Sequence, residues 1–315
     1  MPDVSAVNTD KALTNLAIQI PNGTYGGDAL FSVLPVKDQT GVYNIFDTVR
    51  LGISDLDDSR APGAEAKDDD FDVTQGTYAV AGHSRRAIVS DEERNNADAP
   101  IRPMLQKTMF LLGRMQLRRE VLAKTILDAA LTGAQTSDPT HEWDDYTNGD
   151  PFADIHLAQN AVEDASTLTP NVMVLDSKVY RSLIGHPDIV ARVVAGGTNQ
   201  NPAMVGKQAI AALFDLDEVV VVNCQVNGAI QGQTASLSRI WGSDVYVAHV
   251  PKVVAPQQPT FAVRPSWIGS DSIQGIRIDR WREPKRVADR VQANIWYQLK
   301  VTLAGAGYRL QNRLT

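Results

Sequence analysis

The stretch VQANIWYQLKVTL, residues 291–303, decides how the chain is read. Val291, Ala293, Ile295, Tyr297, Leu299, Val301 and Leu303 occupy alternate positions, with Gln292, Asn294, Gln298, Lys300 and Thr302 between them. Successive side chains of a strand point to opposite faces, so the alternation predicts a half-buried strand. At about 3.3 Å per residue it would run roughly 43 Å. A helix of similar reach is predicted upstream. Asp98 can cap it, Pro100 and Pro103 are tolerable only in a first turn, and no further proline occurs before Pro139. Met104, Leu111, Met115, Leu122, Ile126 and Ala129 follow helical spacing as far as about Thr132, before Gly133. At 1.5 Å per residue that helix is about 45 Å long, more than a small core needs.

Between these two elements the middle third alternates in type. Helices are predicted near Asp154 to Ala165, Ser177 to Ile184 and Ala203 to Phe214, with strands at Val172 to Leu175 and Glu218 to Asn223. This reads as a compact lobe, closed off by the prolines from Pro251 to Pro259. The first 30 or so residues, broken by Pro21, Gly23, Gly26 and Gly27, read as an extended arm. Tyr43 to Ile53 and Phe71 to Val80 read as the strands of a long hairpin with a polar tip at Pro62 and Gly63. Two strands alone are marginal in water, and ordering backbone costs about 1–2 kcal/mol per residue. Arm and hairpin therefore need surface from outside themselves.

Charge is distributed unevenly. The 315 residues carry a net charge of −7, which argues against a conventional nucleic-acid reader. From Asp55 to Asp72 eight acids (Asp55, Asp57, Asp58, Glu65, Asp68, Asp69, Asp70, Asp72) face only Arg60 and Lys67. From Arg277 to Arg313 nine bases face Asp279, Glu283 and Asp289. The acidic segment is expected to dock on basic surface from Arg277 to Arg290 of a neighbouring copy. The acidic total also suggests a surface that repels phosphate. The single cysteine, Cys224, rules out an intrachain disulfide and a thiolate cluster, and is expected to be buried. Apolar runs such as Phe110 to Leu112 and Glu218 to Val222 are far shorter than the roughly 18 residues of a membrane span. The amino terminus does not read as a signal peptide, so a soluble, cytoplasmic product is expected.

Motifs with chemical meaning fail on inspection. GHSRR (Gly82 to Arg86) begins like a nucleophile elbow but has Arg86 where the second glycine belongs. Gly206-Lys207 is followed by Gln208 rather than Ser or Thr, against a phosphate loop. His141-Glu142-Trp143-Asp144-Asp145 lacks the second histidine of a zinc helix, and Asp145 to Asp150 fails calcium-loop spacing. His186 before Pro187 marks a turn or helix end. No catalytic, cofactor-binding or metal-binding residue is assigned, and no enzymatic activity is expected.

Three runs carry a resemblance: PNVMVLDSKVYRSLIGHPDIVARVV (Pro170 to Val194), KQAIAALFDLDEVVVVN (Lys207 to Asn223) and IWGSDVYVAHVP (Ile240 to Pro251). With RAPGAE (Arg60 to Glu65), VSDEERNNAD (Val89 to Asp98) and the closing AGAGYRLQNRLT (Ala304 to Thr315), they resemble tailed-bacteriophage major capsid proteins over nearly the whole chain. The resemblance implies an α+β capsid fold. It divides the chain into an N-terminal arm at 1–33, an extended hairpin loop at 34–89, a peripheral domain from 90–135 (the spine helix) with 260–315, and an axial domain at 136–259. It implies hexamers and pentamers of an icosahedral head enclosing double-stranded DNA without sequence-specific binding, a portal protein, and in some relatives cement proteins. No long helical segment precedes the arm, so a separate scaffolding protein is expected. In some relatives a loop lysine forms an isopeptide bond; here Lys67 is expected to be an ordinary solvated lysine. An encapsulin-type nanocompartment shell is the alternative.

Overall fold

The computed structural model describes residues 8–9, 24–45, 59–60, 62–63, 65, 74–97, 102–195, 206–230, 232–234, 236–253, 259–269 and 275–315. The long helix spans Pro103–Ala130, 28 residues and about 42 Å at 1.5 Å per residue. It starts at Pro103, with Arg102 as the flanking residue. Proline suits that first position because its missing N–H would have had no intrahelical partner. The expected cap, Asp98, and Pro100 lie outside the described residues. The buried stripe is also rotated from the one expected. Leu111, Met115, Ala123 and Leu127 are buried together with the polar Thr108, Gln116 and Glu120, whereas Leu122 and Ala129 face outward.

The stripe lies against a sheet centred on Ala288–Tyr297, which pairs antiparallel with Ile276–Glu283 on one side and Ala81–Ser90 on the other. Val291, Ala293, Ile295 and Tyr297 are buried as the alternation requires. Asn294 is buried too, because it accepts from Ser84 Oγ at 2.6 Å and donates to Asp279 at 2.7 Å. The expected unbroken strand to Leu303 is interrupted after Tyr297. There the Gln298 N–H bonds to Pro265 O, and Lys300–Val301 forms a short separate strand beside Ala262–Val263. Phe31–Val36 runs parallel to Ala262–Trp267 and completes this core.

A second, five-stranded sheet forms the lobe, in the order Thr136–Ser137, Gly307–Leu310, Val245–Ala248, Val172–Asp176, Glu218–Val222. Helices Pro151–Ser166, Ser177–Gly185, Pro187–Ala195 and Lys207–Leu213 accompany it, and the first, second and fourth match the expected helices. The fourth is described only from Gly206 onward, short of the expected start at Ala203. Ile155, Val162, Leu175, Val179, Leu183, Ile210 and Leu310 share its core. Residues 307–310, expected with the long strands, instead pair with Val245–Ala248 inside this lobe. The polypeptide thus crosses from one core to the other at the 3-10 turn Ala304–Ala306.

Thr40–Ile45 and Thr74–Ala79 pair antiparallel as an isolated two-stranded ribbon. Gly41 lies opposite Tyr78 and Tyr43 opposite Gly76, and each phenol ring covers the facing glycine so closely that a Cβ there would sit under 3 Å from it. The hairpin predicted from Tyr43 to Ile53 and Phe71 to Val80 is present at its base; 46–58 and 71–73 lie outside the described residues. Among the described residues, none from 40 to 79 belongs to either hydrophobic core. Strand Ala81–Ser90, which continues from the ribbon, is a full member of the large sheet.

Candidate functional site

The described residues hold no cluster of three His, Cys, Asp or Glu side chains suited to a metal ion, and the polar groups of interest sit where the two cores and the arm meet. Glu120, near the middle of the long helix, is buried. Its carboxylate accepts the Gly26 N–H at 2.6 Å, the Gly27 N–H at 3.1 Å and the Trp241 indole N–H at 2.6 Å. Burial pushes its carboxyl pKa above the ordinary value, opposed by those same donors. The approach is close: a Cβ on Gly26 would meet Val174, Val222 and Trp241 within 3 Å, so only glycine fits. Next to it Asp28 receives both Arg119, at 2.6 Å, and Arg264.

A second junction joins helix, lobe and chain end. Asp244 binds Lys124 at 2.7 Å, Arg309 at 2.8 Å and the Asn312 N–H at 3.1 Å. Lys124 also reaches Asp128, which accepts the Tyr246 hydroxyl. Burial opposes the charge on Asp244, but Lys124 and Arg309 outweigh it and hold the carboxyl below its ordinary range. Arg313 is completely buried. Its guanidinium reaches Asp154 at 2.7 Å, Ser137 Oγ at 2.8 Å and Ser137 O at 3.0 Å, and Asp154 accepts the Trp143 indole N–H at 2.8 Å.

Five of the six bases from Arg277 to Arg290 find acidic partners within their own chain. Arg277 pairs with Asp279, Arg280 with Asp289, Arg282 with Asp91 and Arg290 with Glu283. Arg94 from the short helix Asp91–Asn95 joins the same network through Asp289 at 2.7 Å. Several of these guanidiniums share one carboxylate, Arg94, Arg280 and Arg282 meeting at Asp289 and Arg286 and Arg290 at Glu283, and the network ties the long strands to the short helix Asp91–Asn95.

The remaining sequence candidates fall into place. GHSRR lies inside the extended Ala81–Ser90 strand, with no strand-to-helix turn to expose Ser84. Lys207 opens a seven-residue helix. His141 Nδ1 stands 3.9 Å from Asp145, whose carboxylate closes a local turn onto Thr147 and Asn148. His186 is buried between helices Ser177–Gly185 and Pro187–Ala195, as a helix end. Cys224 is buried and its thiol is pushed up to about 12 by burial, which leaves it protonated and unreactive. Lys67 lies outside the described residues. Glu120, Asp244 and Arg313 escaped the sequence reading because a charge at a core position carries no periodic signal.

A long helix clasped to long strands, a separate α/β lobe and a projecting ribbon define a capsid-type shell fold. No protein-family model matches the chain. Among curated proteins it is 25% identical over 275 residues to a major capsid protein of Pseudomonas phage JBD67, covering 86% of each chain. It is 24% identical to the major capsid protein of Burkholderia phage BcepMu, covering 80% of this chain and 79% of that one. Among solved structures, a phage-related protein from Bordetella bronchiseptica RB50 matches over 98% of both chains at a TM-score of 0.72 and 21% identity. The encapsulin of Synechococcus elongatus shares the fold at a TM-score of 0.51 and 12% identity, over 99% of this chain and 95% of that one. The chain is a homologue of phage major capsid proteins and has their fold.

Proposed function

We propose that this chain is the shell subunit of a phage head, assembling into hexamers and pentamers that close an icosahedral capsid around double-stranded DNA. The observation that carries the reading is the ribbon Thr40–Ile45/Thr74–Ala79, which lies outside both hydrophobic cores. An element with so little private burial gains it from a neighbouring copy. In this reading the lobe is the axial domain, taking in 136–253 with 307–315. The long helix, Ala81–Ser90 and the strands from 262 to 301 form the peripheral domain, the ribbon is the base of the extended loop, and the residues before strand Phe31–Val36 are the arm. The strand pairings support this division.

A separate scaffolding protein, a portal protein and, in some particles, cement proteins are the partners that go with such a subunit, and its place is the virion. The subunit carries out no catalysis. Electron microscopy of the expressed protein, alone and with its scaffold, tests the proposal. Closed shells or isolated hexamers and pentamers are expected. A stable monomer at high concentration would contradict it, and shells built around a cargo enzyme encoded next to this chain would turn the reading to an encapsulin.

A further inference from the structure

The long helix Pro103–Ala130 is apolar on two sides. One stripe, with Leu111, Met115, Ala123 and Leu127, is buried. Phe110, Leu117 and Val121 form a second stripe at steps of seven and four residues, and none of the three joins either hydrophobic core. Phe110 is 62% exposed and Val121 37%. The stripe runs three turns, about 16 Å at 1.5 Å per residue. A surface helix that serves one chain alone keeps its outer face polar.

Gly113 lies on this side, between Phe110 and Leu117. Nothing in its own chain requires glycine there: a Cβ would meet no atom within 4 Å, and its φ is not positive. Glycine nevertheless weakens a helix interior relative to alanine. The missing side chain leaves a notch where a second helix can approach closely. Along one flank, a turn apart, stand Arg114 and Arg118, both exposed and neither paired with an acid among the described residues. Arg114 lies over the Phe110 ring, 5.8 Å from its centroid. From Arg102 to Arg119 the sequence has five bases and no acid, in a chain of net charge −7.

We infer that this face of the long helix docks an amphipathic helix of a second protein, about three turns long, with acids along the border that meets Arg114 and Arg118. The inference rests on the shell-subunit reading, under which that second protein is the scaffold. An apolar stripe with a glycine notch and a charged edge is the pattern of helix-in-groove recognition, in which apolar side chains give affinity and the edge sets orientation. Charge complementarity chooses the occupant. A second copy of the same face would bring Arg114 and Arg118 against like charge. Nucleic-acid phosphate would satisfy the arginines but leave Phe110, Leu117 and Val121 in water. The acidic segment from Asp55 to Asp72 is broken by Pro62 and Gly63 and has no apolar residue between Leu56 and Phe71 other than alanine, so it offers no apolar helix face.

Leu117→Cys supplies an accessible thiol on this face, since the native Cys224 is buried. The thiol is labelled with a maleimide benzophenone, the full chain is assembled with its scaffolding protein, and the particles are irradiated. Mass spectrometry is expected to find the label on a scaffold segment with apolar side chains at helical spacing and a net negative charge. Label on another copy of this chain, on nucleic acid, or on no macromolecule overturns the inference. As a second arm, Gly113→Met fills the notch with a good helix former, so the isolated subunit should unfold at a temperature no lower than the unaltered chain. The scaffold concentration needed for half-maximal assembly should nevertheless rise about tenfold. Arg114→Glu with Arg118→Glu should raise it similarly. Variants that assemble at the unaltered scaffold concentration would eliminate this face as a docking site while leaving the shell reading intact; failure of the unaltered chain to form shells or capsomers would remove the shell reading and the inference with it.

Discussion

Glu120 and Trp241 meet at 2.6 Å, indole N–H to carboxylate, where the long helix touches the segment entering the lobe's Val245–Ala248 strand. The same carboxylate holds the backbone N–H groups of Gly26 and Gly27, so one side chain fixes arm, helix and lobe to each other. Removing it leaves three buried donors with no acceptor, each costing about 1–3 kcal/mol. Glu120→Ala should therefore destabilise the subunit by about 3 kcal/mol or more, measured by urea unfolding. A loss under about 1 kcal/mol would show that water or a rearranged neighbour takes over the donors.

The same carboxyl gives a pH signature. Burial raises its folded pKa above the ordinary 4.5, so the folded state binds its proton more tightly than the unfolded one. Stability from this group is full below the unfolded value and is lost as pH rises through the folded one. The difference between the unaltered chain and Glu120→Ala should shrink as pH is raised from that ordinary value toward neutrality. A difference that grows with pH across this interval would contradict the assignment.

Arg313 poses a choice between charge and volume. Its guanidinium is fully buried against Asp154 and Ser137. Truncation to alanine leaves both an uncompensated carboxylate and a cavity, at a cost of about 3–5 kcal/mol. Arg313→Met refills the volume with an uncharged stem and should lose about half as much. Equal losses in thermal or chemical unfolding would mean that the stem contributes nothing to packing.

Much of this architecture is legible in the residues, and the misses have physical causes. The helix Pro103–Ala130 and the strands Val172–Asp176 and Glu218–Val222 announce themselves because packing against a core imposes a period on apolar side chains. Strand Ala81–Ser90 does not, since GHSRR places polar groups on both faces and draws its stability from ten cross-strand partners in Ala288–Tyr297. Gly307–Leu310 looks like a continuation of the long strands, and only tertiary pairing assigns it to the lobe. Glu120 was invisible for a sharper reason: a helical pattern treats a glutamate as solvent-facing, while here three N–H donors brought by distant segments make its burial tolerable. The pairing of Arg277 to Arg290 with Asp279, Asp91, Glu283 and Asp289 likewise depends on strand register, which net charge along the chain does not encode.

Hydrogen–deuterium exchange, comparing isolated subunits with assembled particles, bears most directly on whether the outlying ribbon borrows its stability from copies of the chain. In isolated subunits the amides of 40–45 and 74–79 should exchange far faster than those of 288–297, and assembly should slow them selectively. A ribbon as protected in the dilute subunit as in the particle, and as slow as the central strand, would contradict the account.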